Sequence, residues 1–172
     1  MGEITTGYSK PNYRSVGGIL KLIIYALENR ASYTRVADAI TAISMEAGEK
    51  AFTFDVEMNT ANAVETQTGS RENFSVYNEQ AVTAILTDKT NANIQMVTQL
   101  ASGRLGVIVV YESSLVRHFG LVNGLMVDTE TDDSGTAYGD RNGHEIAMSG
   151  KEVAKAPTMA LNLAEALLIP SS

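Results

Sequence analysis

The sequence predicts a mainly β protein: an antiparallel β-sandwich or barrel with one flanking helix and extended arms. Three observations carry that expectation. Residues 51–58 alternate, with Phe52, Phe54, Val56 and Met58 on one face and Thr53, Asp55, Glu57 and Asn59 on the other, as a strand with one buried and one wet face requires. Val107, Ile108, Val109 and Val110 follow one another, which indicates a strand buried on both faces. Only one segment, about 90–102, has helical spacing, and the other apolar stretches are short and lack regular helical crossovers.

The individual elements follow in chain order. Residues 1–15 are polar and interrupted by Pro11, which suggests an extended arm. Val16 to Leu27 reads as a strand entered through Gly17 and Gly18, because its β-branched content and flanking glycines favour β over helix. Ile40 to Met45 is a second short strand, and Gly48-Glu49 suits a tight hairpin turn with glycine first. Residues 60–72 are polar and form either a long loop or the tip of an extended hairpin. Phe74 to Thr87 is β-like again. Asp88 or Thr90 caps the helix, Ile94, Val97, Leu100 and Ala101 form its apolar face, and Gly103 stops it.

Arg104 to Tyr111 is the doubly buried strand, Glu112-Ser113-Ser114 turns the chain, and Leu115 to Val127 returns. Asp128 to Gly143 reads as a long polar loop and His144 to Ser149 as a last core strand. Beyond Pro157, Met159 to Ile169 is apolar enough to need a partner surface. The total is about seven strands and one helix, organised as an arm (1–15), one sandwich domain (16–152) and a tail (153–172).

Composition limits the chemistry. A chain of 172 residues, 44% hydrophobic, suits one globular domain. It has no cysteine, which excludes disulfides, thiolate metal sites and cysteine nucleophiles. Net charge is −7 with a pI near 4.8, and the 13 basic residues are scattered. Such a surface does not grip nucleic acid but lets it pass without sticking. No apolar run approaches the roughly 20 residues of a membrane helix, and the first residues show no signal-peptide pattern. Gly2 and Thr6 meet the loose myristoylation pattern, which an ordinary flexible start meets equally.

Catalytic motifs are missing. His118 and His144 are the two histidines, they sit at no ligand spacing, and each reads as a structural or surface side chain. Asp128, Glu130, Asp132, Asp133 and Asp140 could offer oxygens to Ca²⁺, but no glutamate closes the twelve-residue calcium loop. They read as a solvated loop, or one pairing with basic groups of a neighbouring subunit. Neither a metal nor a cofactor is expected.

One stretch is familiar. Gly135-Thr136-Ala137-Tyr138-Gly139-Asp140-Arg141-Asn142-Gly143-His144-Glu145-Ile146-Ala147-Met148-Ser149-Gly150-Lys151-Glu152 resembles the last strand and preceding loop of virion structural proteins of tailed bacteriophages, especially those of Bacteroides-like hosts. Val16 to Ile19, Ile40 to Met45 and Gly120 to Leu125 fall in the matching order, so the resemblance spans 16–152. It implies a β-sandwich of the phage tail tube type, assembled into stacked rings, commonly hexameric. Strands of every copy would then line a channel that passes DNA. Other partners would be baseplate and connector proteins, and the location would be the virion tail, assembled in the host bacterial cytoplasm, with no membrane.

On that reading residues 50–60 and 74–87 are candidates for the channel wall, with Asp55, Glu57 and Asn59 facing DNA. Pro11 and Tyr13 of the arm, Arg71, Asp132 and Asp133 of the loops, and Leu161, Leu163 and Leu167 of the tail would contact neighbouring subunits. The apolar tail departs from the tail tube pattern and leaves a head-tail connector or tail-terminator ring as the alternative. Two further classes compete. A small β-barrel ligand-binding module is disfavoured by 6% aromatics and no tryptophan. An enzyme would need the carboxylates of 55/57 or 128–140 to converge with His118 or His144 in a cleft, and no enzymatic activity is expected.

Overall fold

The computed structural model describes residues 17–73, 75–140 and 142–171. Pro11 and Tyr13 lie outside the described residues, as does the expected strand start at Val16. The chain forms β1 (Ile19–Ala26), a 3-10 turn (Leu27–Asn29), β2 (Arg30–Val36), β3 (Ala39–Met45), β4 (Phe52–Asp55), β5 (Ala61–Ser70) and β6 (Ser75–Leu86). Helix α1 (Asn91–Leu100) follows, then β7 (Leu105–Tyr111), β8 (Val116–Phe119), β9 (Met126–Asp133), β10 (Gly143–Glu152), β11 (Thr158–Met159) and α2 (Leu161–Ala166).

The strands make two sheets. One has seven strands in the order β2-β3-β11-β8-β7-β1-β4, the other four in the order β5-β6-β10-β9. All pairings are antiparallel except β11 beside β3. The mainly β, sandwich-like architecture with one main helix is therefore as the sequence predicts.

The apolar periodicities explain the layering. Leu22 and Ile24 of β1 join Val107, Val109 and Phe119 on one face of the larger sheet. There they meet Val82, Ile146 and Met148 of the smaller sheet and Val97 and Leu100 of α1. Ile23 and Tyr25 of β1, with Ile108 and Val110 of β7, face the opposite way and pack against Ala164 and Leu167. Strands β1 and β7 are thus covered on both faces, which is why both lack alternation. Each such side chain taken fully from water contributes about 1.5–3 kcal/mol.

Several expectations are corrected. Gly48 does take a positive φ of 83°, but it joins no hairpin: β3 pairs with β2 and β11, and β4 pairs with β1. The alternating segment 51–58 is a strand only over its first half. Phe54 is buried, whereas Phe52 is 56% and Met58 79% exposed, because β4 is the outer strand of its sheet and its end runs free. On α1, Val97 and Leu100 are buried, but Ile94 and Ala101 face solvent.

Leu115 to Val127 is not one strand. β8 ends at Phe119, and the segment from Gly120 (φ +66°) to Gly124 (φ +79°) carries the chain to β9 in the other sheet. A Cβ on Gly120 would lie 2.7 Å from the Leu125 nitrogen, so this crossing admits no side chain there. Of the expected loop 128–143, residues 128–133 belong to β9 while 134–140 lie outside any strand, and the polar stretch 60–72 is mostly β5, one arm of a long hairpin with β6. The segment after residue 152 is built into the body: β11 lies between β3 and β8, and α2 covers the larger sheet.

Candidate functional site

Two features stand out: a cavity under α1 and the open face of the four-stranded sheet. The cavity starts from a capping sequence. Thr90 Oγ1 accepts the Asn93 N–H at 3.4 Å, and Asn93 Nδ2 donates to Asp88 Oδ2 at 3.0 Å. These bonds fix the first turn of the helix. The helix then turns Met96, Val97 and Leu100 toward β4 and the inner face of β10. Between them lies a cavity of about 470 Å³, lined by Phe52, Phe54, Met96, Leu100, Leu105 and His144, with Asp55 and Asp88 among its polar residues.

His144 is 3% exposed, and its Nδ1 lies 2.8 Å from Glu130 Oε1 on the adjoining β9. Its Nε2 is buried without a hydrogen-bond partner among the described residues. Beside it Lys89 forms an ion pair with Asp132 and donates to the Asp133 carbonyl at 2.7 Å. That hydrogen bond from Lys89 holds the Asp132 carboxyl below its ordinary range. A carboxylate-oriented imidazole facing a largely apolar cavity can accept or release a hydrogen bond from a bound molecule.

The second feature comes from strand periodicity. On the outer face of the smaller sheet, Asn62 and Thr66 of β5 stand beside Thr83 and Glu79 of β6. Ala147 and Lys151 of β10 lie opposite Thr83 and Glu79, and Thr129 and Thr131 of β9 complete the rows. The face is mainly polar, with Val64 46% exposed upon it, and none of these side chains joins the core. Among the described residues β5 pairs only with β6, and β9 only with β10. Two strands of ten and eight residues therefore present unpaired edges.

A polar network holds the sheets together. Arg117 Nη2 donates to Glu65 Oε2 at 2.6 Å, and Glu65 Oε1 accepts from the Ala156 amide at 2.6 Å and from Gln80 Nε2 at 3.1 Å. Gln80 Oε1 in turn accepts the Gly120 N–H at 2.8 Å. Burial pushes the Glu65 carboxyl up, but the Ala156, Arg117 and Gln80 hydrogen bonds outweigh it and hold the group below its usual range. Glu152, 4% exposed, accepts the amides of Val122, Asn123 and Gly124 with one oxygen and so pins the crossing loop.

The sequence-derived site residues scatter. Asp55 ends β4 at the cavity, and Glu57 and Asn59 lie exposed in the connection to β5. None belongs to the four-stranded sheet. Arg71 is exposed at the hairpin tip, and Asp132 and Asp133 lie on β9 rather than in a loop. Leu161 is 40% exposed. Leu163 and Leu167 pack within this chain, Leu167 at 4% exposure, so the tail finds its partner surface intramolecularly.

The acidic residues do not converge on an ion site. Glu130 and Asp132 are paired, and Asp140 accepts the Thr136 and Ala137 amides. The described residues include no metal-holding cluster. His118 is structural: fully buried, with Tyr25 Oη 2.7 Å from its Nε2. Of the groups an enzyme would need, Asp55 and His144 line one cavity, Glu130 stands behind His144, and His118 is not in the lining. Glu65, Gln80 and Glu152 were missed because each is an ordinary polar residue whose partners lie in distant segments.

These features define a class: a two-sheet β protein with an open, polar-faced sheet and a capped apolar cavity. Compared with known protein families, curated proteins and solved structures, the chain matches none. No helix among the described residues is long and apolar enough to cross a membrane.

Proposed function

We propose that the protein is a structural subunit of a bacteriophage tail tube, assembling into stacked rings around a channel that conducts DNA. One observation carries the reading: among the described residues the four-stranded sheet has two unpaired edges whose strands run in opposite directions. From β5 to β6, β10 and β9 every neighbour is antiparallel, so β9 runs opposite to β5. When rotationally related copies meet β9 to β5, the antiparallel alternation continues through the joint. A closed ring of such heterologous contacts leaves no edge exposed, which resolves the aggregation liability of long open strands.

Six copies, the number usual in the resembling family, contribute 6 × 4 = 24 strands. At about 4.7 Å per strand the wall closes to roughly 36 Å between opposite backbones, before strand tilt widens it. That admits a DNA duplex. The face turned inward is the one described above, bearing threonine, alanine, Glu79 and Lys151, and the six chains carry 6 × (−7) = −42 charges in all. The channel wall is accordingly assigned to β5, β6, β9 and β10. Asp55, Glu57 and Asn59 move to the rim near α1. Arg71 at the hairpin tip is placed to meet an adjacent ring.

The absence of cysteine gives a clean test. Solution mass and negative-stain images of the full chain should show rings or tubes with a central hole. Stacked tubes favour the tube subunit; single rings that never stack favour the connector or terminator. A panel pairing Asn62→Cys, Val64→Cys or Thr66→Cys with Thr129→Cys or Thr131→Cys should include a combination that oxidises to a covalent ladder ending at the ring number. A strict monomer at high concentration, with no ladder from any pair, overturns the proposal.

A further inference from the structure

We infer that the cavity under α1 binds a small neutral molecule with an apolar body and one hydrogen-bond donor, which His144 Nε2 accepts. Nothing in the tube reading requires this site, so it stands independently. Its volume, about 470 Å³, lies within the range of small-molecule sites. Phe52, Phe54, Met96 and Leu100 supply an apolar lining from three separate elements. Phe52 is large, apolar and 56% exposed on the cavity side of the outer strand β4, and a ligand would cover it.

His144 sets the polarity. Its Nδ1 faces the Glu130 carboxylate at 2.8 Å. An ionised carboxylate only accepts, so in the neutral ring the hydrogen sits on Nδ1 and Nε2 is an acceptor. That acceptor is buried at a lining residue and has no partner among the described residues, a condition native proteins rarely leave unmet. The ligand group opposite it is therefore an O–H or N–H.

Charge disfavours one class of ligand. The ionisable lining groups besides His144 and the buried Tyr25 are Asp55 and Asp88. Lys89, next to Asp88 in sequence, is tied to Asp132 and the Asp133 carbonyl, and Lys50 Nζ stands 5.2 Å from the centre of the Phe52 ring at the rim. The lining itself carries two carboxylates and no lysine or arginine, which favours a neutral donor over an anion.

The probes are 1-naphthol and naphthalene, which share an apolar body and differ by one hydroxyl. Each is titrated into the isotopically labelled full chain and followed by amide and imidazole nitrogen shifts. The wild type is expected to bind 1-naphthol about tenfold more tightly than naphthalene, the value of one added hydrogen bond. The His144 Nε2 resonance should move with the hydroxylated probe. In His144→Phe the preference should fall to about one, while naphthalene still binds. Gln99→Trp, at an exposed helix position on the lining, should weaken both probes by blocking the mouth. Should His144→Phe not fold, the Nε2 shift in the wild type decides alone. Failure of either probe to saturate, as for a cavity that holds only water, overturns the inference. So does binding of 1-naphthol that leaves the Nε2 resonance unmoved.

Discussion

His118 shows how a single buried side chain couples this fold to pH. Burial, reinforced by the nearby Arg30 charge, lowers its pKa to about 3. The unfolded chain takes up a proton near pH 6.5, so between about 3 and 6.5 it binds more protons than the folded chain. Stability from this group is complete above pH 6.5 and falls as pH drops, by roughly 1.4 kcal/mol per pH unit. Urea unfolding from pH 7.5 to pH 5 should show that loss in the wild type. The variant His118→Phe starts less stable, because the Tyr25 hydroxyl loses its short contact to the imidazole and keeps only the longer one from Arg30, but should show a visibly shallower acid dependence. Equal slopes would mean that other groups carry it. Glu65 adds a second acid-sensitive contact at lower pH: its depressed carboxyl stabilises the fold above its unfolded value near 4.3 and loses that contribution as pH falls through the folded value.

At the scale of elements, the C-terminal segment decides whether the larger sheet is finished. β11 contributes only two residues, yet it fills the place between β3 and β8, while α2 seals the face that bears Ile23, Ile108 and Val110. Leu167→Ala removes a side chain 4% exposed in this layer and should cost about 2–5 kcal/mol. Urea unfolding at a protein concentration low enough to keep the chain monomeric separates two roles. A large loss there marks an intramolecular core contact. No loss in the monomer with loss in the assembly would return Leu167 to a contact between subunits. The β5–β6 hairpin is different in kind: its strands alternate in burial and its outer face finds no cover among the described residues.

The whole molecule, in the ring proposed above, should present an inner wall that DNA passes without adhering. Acidic net charge and small polar side chains suit that task, since adhesion depends on clustered cations. Thr83 lies on the outer face of the central strand β6. With Thr83→Lys every ring gains one ring-wise level of lysines, and the assembled protein should begin to retain duplex DNA, with retention falling steeply as salt rises. Fluorescence anisotropy of labelled DNA against intact rings reads this directly. Rings that persist yet gain no DNA affinity would place Thr83 away from the channel.

What was legible in the sequence was whatever depends on local periodicity and local turns. The strands containing Leu22, Ile108 and Ile146, the helix capped by Thr90, and the turn at Ser113 all follow from apolar spacing, propensity and capping. The β class followed from them. β2, β5 and β9 were not legible as strands of the two sheets, because their polar residues carry no burial signal and each is a strand by virtue of its neighbour's hydrogen bonds. The candidate sites depended still more on tertiary structure. Alternation puts Asp55 and Glu57 on a wet face and the resemblance makes that face a candidate channel wall, whereas β4 pairs with β1 and so lies in the other sheet. Glu130 and His144 meet through cross-strand register, and Glu65 meets Arg117 across 52 residues of chain. Periodicity determines which face of a strand is dry; only the packing of distant strands decides what the wet face confronts.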